Sequence, residues 1–426
     1  MHNILVIGSG GREDAIVRKL HDSRSAKKVF AMPGNPGMEG SAELIELQKG
    51  GFGYIAEVCR EKEIDMVVVG PELPLALGLG DFLREKGIKV FGPDEAPAQL
   101  EASKGFAKDF MKKYKIPTAE YKRFTQDQAS EAKEYIKRHP LPVVIKADGL
   151  AAGKGVIIAQ TRDEAYDALR LIFTGAFKEA GNEVVIEEYM DGEEASILAV
   201  CDGKDYVLLA SSQDHKRAMD GDKGKNTGGM GSYAPAPIVT DEIRERVEEE
   251  IIKPTLRGMQ AEGTPFVGCL YAGLMIVDRQ PKVVEYNVRF GDPETQVVLP
   301  VFKGDFAGLL YSAAAGLLDK STIENVEKGV ACCVILASKG YPDSYEKGFP
   351  INGIERAEEM GAIVYHAGTK RENGKIISWG GRVLGVTCTG QTLQDAIKNT
   401  YMALPLIGFK NKYSRSDIGH RALKRK

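Results

Sequence analysis

The chain has 426 residues, 43% hydrophobic and 27% charged, and its 57 Lys and Arg against 60 Asp and Glu leave a net charge of −3. That composition suits a folded chain of roughly two to four domains, so global disorder is excluded, and the near-neutral balance gives nucleic acid or a membrane surface no general electrostatic attraction. The longest apolar runs, such as Val330–Ala337, fall far short of the about 18 residues of a membrane span, the start MHNILVIGSGG lacks the basic stretch and cleavage site of a signal peptide, and 6 scattered Cys without a C-x-x-C pair fit free thiols in a reducing cytoplasm.

The first hundred residues alternate strand and helix patterns. Apolar runs at Asn3–Ile7, Lys28–Met32, Ile64–Val69 and Ile88–Phe91 each end in a Gly or Pro turn, with helix-like stretches such as Glu13–His21 and Leu79–Lys86 between them. Such alternation predicts a parallel sheet covered on both faces, with ligands beyond the carboxyl ends of its strands. The pattern then changes. A helix is predicted from Thr125 to Pro140 with Gln128 completing a capping box, and another after Thr161 with Glu164 as its partner. Between them Pro142–Lys146 and Val156–Ala159, joined by a glycine-rich loop, predict an antiparallel hairpin. Glu183–Tyr189 adds a strand. Residues 195–320 read as a larger α+β unit with a helix over Thr240–Glu262, where Ile243, Val247 and Ile251 share a face. From about residue 328 a small mixed domain follows. No internal repeat or low-complexity segment interrupts the chain.

Four motifs carry candidate chemistry. The first turn, Gly8-Ser9-Gly10-Gly11-Arg12-Glu13, lacks the third glycine of a dinucleotide fingerprint, and no carboxylate ends the second strand. A nicotinamide site is thereby excluded, leaving a phosphate site at a helix N-terminus or a plain tight turn. The loop Gly149–Gly155 is no P-loop, because its spacing and hairpin context are wrong. With Lys146 on a strand and Lys154 near its tip, it is either a clamp on a triphosphate or an ordinary hairpin with solvated lysines. Lys282–Phe290 alternates strictly, placing Val284, Tyr286, Val288 and Phe290 on one face and Glu285, Asn287 and Arg289 on the other. Glu285 and Asn287 offer Mg²⁺ two hard oxygen ligands, and Arg289, about 13 Å along at roughly 3.3 Å per residue, offers an anion clamp; the other reading is a solvated strand face. Lastly, the glycine-rich segment Gln213–Pro237 predicts a long loop that closes on substrate, in which His215 acts as a base or, as the better reading, pairs with a neighbouring carboxylate.

Taken together these features resemble the ATP-grasp ligases, and within them the phosphoribosylamine–glycine ligase family. The resemblance rests on GSGGRE, PGNPG, VVVGPELPLALG, VVIKADGLAAGKGV, EEYMDGEEAS, QDHKRAMDGD, NTGGMGSYAPAP, LYAGLM, VEYNVRFGDPETQ and the closing Ser416–Ala422, in order along nearly the whole chain. Asp14 stands where the family usually has His and Lys225 where it has Pro. Gly273 occupies the position at which many relatives carry a second metal carboxylate.

The resemblance implies an α/β and α+β multidomain fold. A Rossmann-like substrate-binding domain would span residues 1–102 and an ATP-grasp domain of two lobes residues 103–326, with 123–190 as the small nucleotide-clamping lobe. A small mixed α/β domain would span 327–426. It also implies ATP and Mg²⁺ (or Mn²⁺) as cofactors. Lys104, Lys146, Gly153, Lys154 and Gly155 would hold the nucleotide with Glu187, Glu188 and Tyr189 at the adenine and Glu194 at the ribose. Glu285 and Asn287 would bind the metal, and Glu285→Ala is expected to abolish ATP turnover. Gly10, Glu13 and Glu72 would hold 5-phosphoribosylamine, and Asp214, Lys216, Arg289 and Asp292 would line the acceptor and glycine sites and serve catalysis. The implied reaction joins glycine to 5-phosphoribosylamine through glycyl phosphate in purine biosynthesis. The enzyme would be a cytoplasmic monomer acting on small molecules, with neither nucleic acid nor membrane as partner. Two rivals remain: a ligase of the same fold with another acid and amine, and a nucleotide-binding regulatory protein without catalysis.

Overall fold

In the computed structural model, which describes residues 1–150, 155–176 and 182–424, the N-terminal apolar runs form a five-stranded parallel sheet of order β3-β2-β1-β4-β5. The strands are β1 (His2–Gly8), β2 (Ala26–Pro33), β3 (Glu43–Leu44), β4 (Met66–Val69) and β5 (Lys89–Phe91). Ile4, Leu5 and Val6 are all fully buried, as expected of a strand covered on both faces. The order reverses at β1, which pairs with β2 on one side and β4 on the other, so the turns after β1 and β4 flank the crevice where such sheets bind ligands. The two-residue β3 carries no sequence signal.

The hairpin predicted around Gly149–Gly155 is β7 (Val143–Ala147) and β8 (Val156–Ala159), antiparallel. They join β6 (Tyr121–Thr125) and β9 (Glu183–Glu188) in a sheet of order β6-β9-β7-β8. Helices Ala129–Arg138 and Arg162–Leu171 pack on it. The first opens through the Thr125–Gln128 capping box and stops before the expected Pro140, because a residue preceding proline is pushed out of the helical region and His139 is extended. Thr161 caps the second by accepting the Glu164 N–H, while the Glu164 carboxylate reaches back to the Gln160 N–H. Phe124, Ile136, Val143, Ile145, Leu169 and Ile186 form a core confined to this lobe.

The larger lobe is an antiparallel sheet of order β11-β10-β16-β17, with β10 (Glu193–Asp202), β11 (Tyr206–Leu208), β16 (Val267–Val277) and β17 (Gln280–Asn287). The long helix runs from Asp241 to Ala261, but Glu248–Ile252 is a π-helical turn. Pro254 lacks an N–H and crowds the carbonyl four residues back, and the wider turn admits it. β17 departs from strict alternation. Gly273 faces Glu285 while Leu274 faces Val283, so Val284 is bulged. A bulge reverses side-chain parity, and Val283, not Val284, is the buried partner of Tyr286. Arg289 lies beyond the strand's last residue.

The segment Gln213–Pro237 is not the expected closing loop. It forms β12 (Gln213–Asp214), β13 (Arg217–Met219), β14 (Lys223–Asn226) and β15 (Gly231–Ala234). β15 pairs with the strand Val330–Ser338, which pairs with Arg382–Gly390 and, through that strand, Ile363–His366. Met230, Ser232, Tyr233 and Ala234 are fully buried. Burial against a strand a hundred residues away supplies the order that local composition does not encode. The N-terminal sheet, the larger lobe and the C-terminal sheet share one core, from Ile4 and Val6 through Leu198 and Phe290 to Val334. All the cysteines are free and buried. No described helix is long and apolar enough to cross a membrane.

Candidate functional site

A cavity of about 440 Å³ opens where these parts meet. Its small-lobe wall is an ion triad. Glu187, from β9, meets the Lys146 ammonium from β7 at 2.9 Å and the Lys108 ammonium from helix Lys104–Lys113 at 3.0 Å, all three nearly buried. Burial, opposed by Glu187, brings Lys108 down to about 8. Two cations on one anion leave the triad itself with a surplus positive charge, and buried charge calls for a partner, which suits the wall to an anionic ligand. Lys104 donates to the Gly149 carbonyl at 2.8 Å. Burial lowers its pKa, Lys146 adds to that, and Glu285 opposes it. The loop is fastened at its root, since Asp148 accepts from the Ser103 hydroxyl at 3.0 Å and the Gly105 N–H at 2.9 Å. Gly149 sits at φ +106°, a conformation glycine adopts without strain.

Glu285 and Asn287 both face the cavity from β17. Burial alone would raise the Glu285 pKa, but Lys216, Lys146, Lys104 and Arg289 outweigh it and hold the carboxylate below its usual range. An ionised carboxylate beside an amide oxygen fits Mg²⁺, whose remaining positions water and phosphate oxygens fill. Among the described residues no group of three or more His, Cys, Asp or Glu could hold a metal alone, so this pair needs a phosphate-bearing ligand to complete a site. Lys216 lies 2.6 Å from Glu194 and 3.9 Å from Glu285. Burial lowers its pKa, but Glu194, Asp214 and Glu285 raise it further and keep it charged. Burial raises Asp214, Lys216 opposes this, and Glu294 adds to the rise. Glu294 accepts from the Tyr271 hydroxyl at 2.9 Å.

At the other end Arg289 is gripped by Glu101 at 2.8 Å and Glu72 at 3.5 Å, and Glu101 also accepts the Val288 N–H at 2.7 Å. Asp292 pairs with Arg382 at 2.9 Å and accepts from Gln296 at 2.7 Å. A second cavity, of about 680 Å³, lies over the turn after β1, and Arg12 and Asp292 line both. Gly10 and Glu13 line only the second, while Glu72 lines only the first. The Gly10 N–H already donates to the Glu13 carboxylate at 2.6 Å, so that amide is not free for a phosphate.

Of the residues singled out from sequence, Lys104, Lys146, Gly155, Glu187, Asp214, Lys216, Glu285, Asn287, Arg289 and Asp292 converge on the main cavity with Glu72. Gly153 and Lys154 lie outside the described residues. Glu188, Tyr189 and Glu194 do not line it. Glu188 pairs with Lys282 at 3.4 Å and accepts the Glu120 N–H at 3.2 Å, Tyr189 is 40% exposed, and Glu194 reaches the cavity only through Lys216. His215 fills neither expected role. It is fully buried, outside the cavity lining and, among the described residues, bonded to no carboxylate. Its Nε2 accepts the Gly419 N–H at 3.3 Å. Burial, with Arg415 and Arg421 near, pushes it down to about 3.

Sequence reasoning missed Lys108, Glu101, Glu294, Tyr271, Arg12 and Arg382. One signal was available. Lys104 and Lys108 are like charges at i and i+4 on one helix face, which repel unless an anion lies between or beside them. The others depend on chain crossings that no local pattern marks.

Comparison with known proteins gives the family. Three family models match in order: Phosphoribosylglycinamide synthetase, N domain, over residues 2–101; its ATP-grasp (A) domain over 102–295; and its C domain over 331–421. The phosphoribosylamine–glycine ligase of Rhizobium meliloti (strain 1021) is 50% identical over 422 residues, 99% of each chain. That of Haemophilus influenzae is 46% identical over 427 residues, again 99% of each. The crystal structure of the Thermotoga maritima enzyme of that name superposes with a TM-score of 0.85 at 36% identity, covering 98% of this chain and 100% of that one. A biotin carboxylase domain from Hydrogenobacter thermophilus shares the fold, with a TM-score of 0.75 at 16% identity over 97% of this chain and 91% of that one.

Proposed function

The chain belongs to the phosphoribosylglycinamide synthetase family of ATP-grasp carbon–nitrogen ligases, and on that premise we propose that it joins glycine to 5-phosphoribosylamine, with ATP cleaved to ADP and phosphate. The product is glycinamide ribonucleotide, formed in de novo purine biosynthesis. The observation that carries this reading is the surplus cation of the Lys108–Glu187–Lys146 triad beside an ionised Glu285 and Asn287.

A carboxylate does not acylate an amine in water, because oxide is a poor leaving group. Transfer of the γ-phosphoryl group to a glycine carboxylate oxygen makes an acyl phosphate. The amine then attacks its carbonyl carbon; the C–N bond forms, the C–O bond to phosphate breaks and the amine loses a proton. Such transfer is catalysed by positioning and by charge on the phosphoryl oxygens. Lys146 and Lys104 approach the phosphates from the small-lobe side, and Lys216 faces them from the larger lobe. Glu285 and Asn287 would hold Mg²⁺, which neutralises phosphate charge when bound. Arg289 lines the main cavity, and Asp292 also borders the second, where Gly10 and Glu13 would meet the phosphoribosylamine. Glu72, beside Arg289, would meet it from the main cavity. The amine and the activated carboxylate would meet where Arg12 and Asp292 border both cavities.

ADP release is the test, with Mg-ATP and glycine, with and without phosphoribosylamine generated in situ. Release should need both substrates in the native chain and vanish in Glu285→Ala with the circular dichroism spectrum unchanged. Release with another acid–amine pair alone would leave the fold and overturn the substrates; nucleotide binding without turnover would favour the regulatory reading.

A further inference from the structure

Ser416–Ala422 lies outside both cavities, yet it is bound to a hairpin whose two feet stand in the main one. The β13–β14 hairpin leaves directly after Lys216 and returns to Thr227 and Gly228, and all three line the cavity. The feet are tied to each other: the Lys216 carbonyl accepts the Thr227 N–H and the Thr227 hydroxyl, each at 2.8 Å. Above them the hairpin has little apolar core of its own. Its register shifts between Arg217 and Met219, Lys223, Gly224 and Lys225 are exposed, and Ala218 is its buried apolar side chain. An isolated two-stranded ribbon is marginal in water.

Arg415 supplies what a core does not. Its side chain is fully buried. It donates to the Arg217 carbonyl and to Asp222, both at 3.0 Å, and to Asp417 at 2.7 Å. Asp417 in turn accepts the Gly221 N–H at 2.8 Å, and Asp220 accepts the Ser416 N–H at 2.9 Å. The Tyr413 hydroxyl donates to the Ala218 carbonyl at 2.9 Å, and Arg421 pairs with Asp222 at 2.8 Å. Strand β13 and the tip of the hairpin, Asp220–Asp222, are therefore held by one stretch of tail. The tail's own path is constrained at Gly419, where φ is +86° and an added Cβ would meet Ile397 at 2.4 Å. Its N–H reaches His215, the residue between Asp214 and Lys216.

We propose that residues 413–421 are a positioning clamp for the ligase site, with Arg415 as the positioning residue. Arg415 touches no substrate. Through the hairpin it holds Lys216 toward Glu285 and, by the Lys216–Thr227 tie, keeps Thr227 in the cavity wall. Removing one member of a buried, hydrogen-bonded charge network leaves the others uncompensated, so loss of the guanidinium frees the hairpin and misplaces Lys216. The proposal rests on the ligase reading above.

Steady-state kinetics and limited trypsin digestion of the intact 426-residue chain test it, on wild type, Arg415→Lys, Arg415→Ala and Asp222→Asn. Trypsin reads the hairpin directly, at Lys223 and Lys225. Arg415→Ala is expected to lower kcat by about tenfold or more with the KM for ATP within about threefold, and to speed cleavage at those two lysines by about tenfold. Arg415→Lys keeps the charge but not the fork and should fall between. Asp222→Asn should show the same pattern more weakly, and it decides the matter if Arg415→Ala does not fold. Unchanged kcat in Arg415→Lys and Asp222→Asn despite faster cleavage overturns the proposal. So does a loss of kcat with unaltered cleavage, or a loss expressed in KM alone. A wild-type chain without ligase activity would sink the ligase reading instead; digestion then still decides whether the tail holds the hairpin.

Discussion

Two glycine-rich hairpins border the main cavity, and they are held in opposite ways. β7–β8 belongs to a four-stranded sheet with two helices and a core drawn, among the described residues, from that lobe alone. β13–β14 is a two-stranded ribbon with a register shift, fixed from outside by Arg415, Asp417 and Ser416. Both present cationic residues to the same ligand space: Lys146 stands on β7 and Lys216 at the foot of β13. Glycine content therefore says little about how firmly a loop is held. What decides is whether its polar groups find partners, and those partners here lie about two hundred residues away.

The largest expected effect comes from exchanging the two lysines for alanine. Lys216→Ala strips Glu194, Asp214 and Glu285 of their nearest cation and should lower kcat by about a thousandfold; Lys146→Ala leaves Lys108 on Glu187 and should cost about a hundredfold, chiefly in the KM for ATP. Identical kinetic signatures for the two would break the contrast. A smaller effect is expected on stability. Phe124 is buried in the small-lobe core, and Phe124→Ala should destabilise by about 3–4 kcal/mol. Hydrogen exchange should speed up in residues 121–188 and stay slow in β1 and in Val330–Ser338; faster exchange everywhere would mean that the lobe is not independent. A last effect, which develops only as the pH falls, sharpens the other side. The folded pKa of His215 is about 3, below the ordinary 6.5, so the unfolded chain takes up a proton there that the fold refuses. Stability from this group is full above pH 6.5 and falls with pH, approaching about 1.4 kcal/mol per pH unit between 6.5 and 3. His215→Gln removes that dependence. The difference in denaturant stability between wild type and variant should shrink as pH drops from 7 to 4; a constant difference would refute the buried neutral ring.

Local pattern by itself determined the parallel N-terminal sheet, the β7–β8 hairpin, both capped helices and the Glu285–Asn287 pair. Each follows from periodicity, a capping residue or a turn within a dozen positions. The cavity residues on those elements were legible for the same reason. Tertiary structure decided the rest. The bulge at Val284 answers to Gly273 on the neighbouring strand. The strands within 213–237 exist because Val330–Ser338 offers β15 a partner. His215 lost both expected roles because its surroundings come from the tail. Glu101 and Glu294 matter only where the chain folds back on Arg289 and Tyr271. Sequence spacing encodes which side chains share a face; it does not encode which distant charge will stand opposite, and in a low-dielectric cavity that opposing charge settles the state of each group.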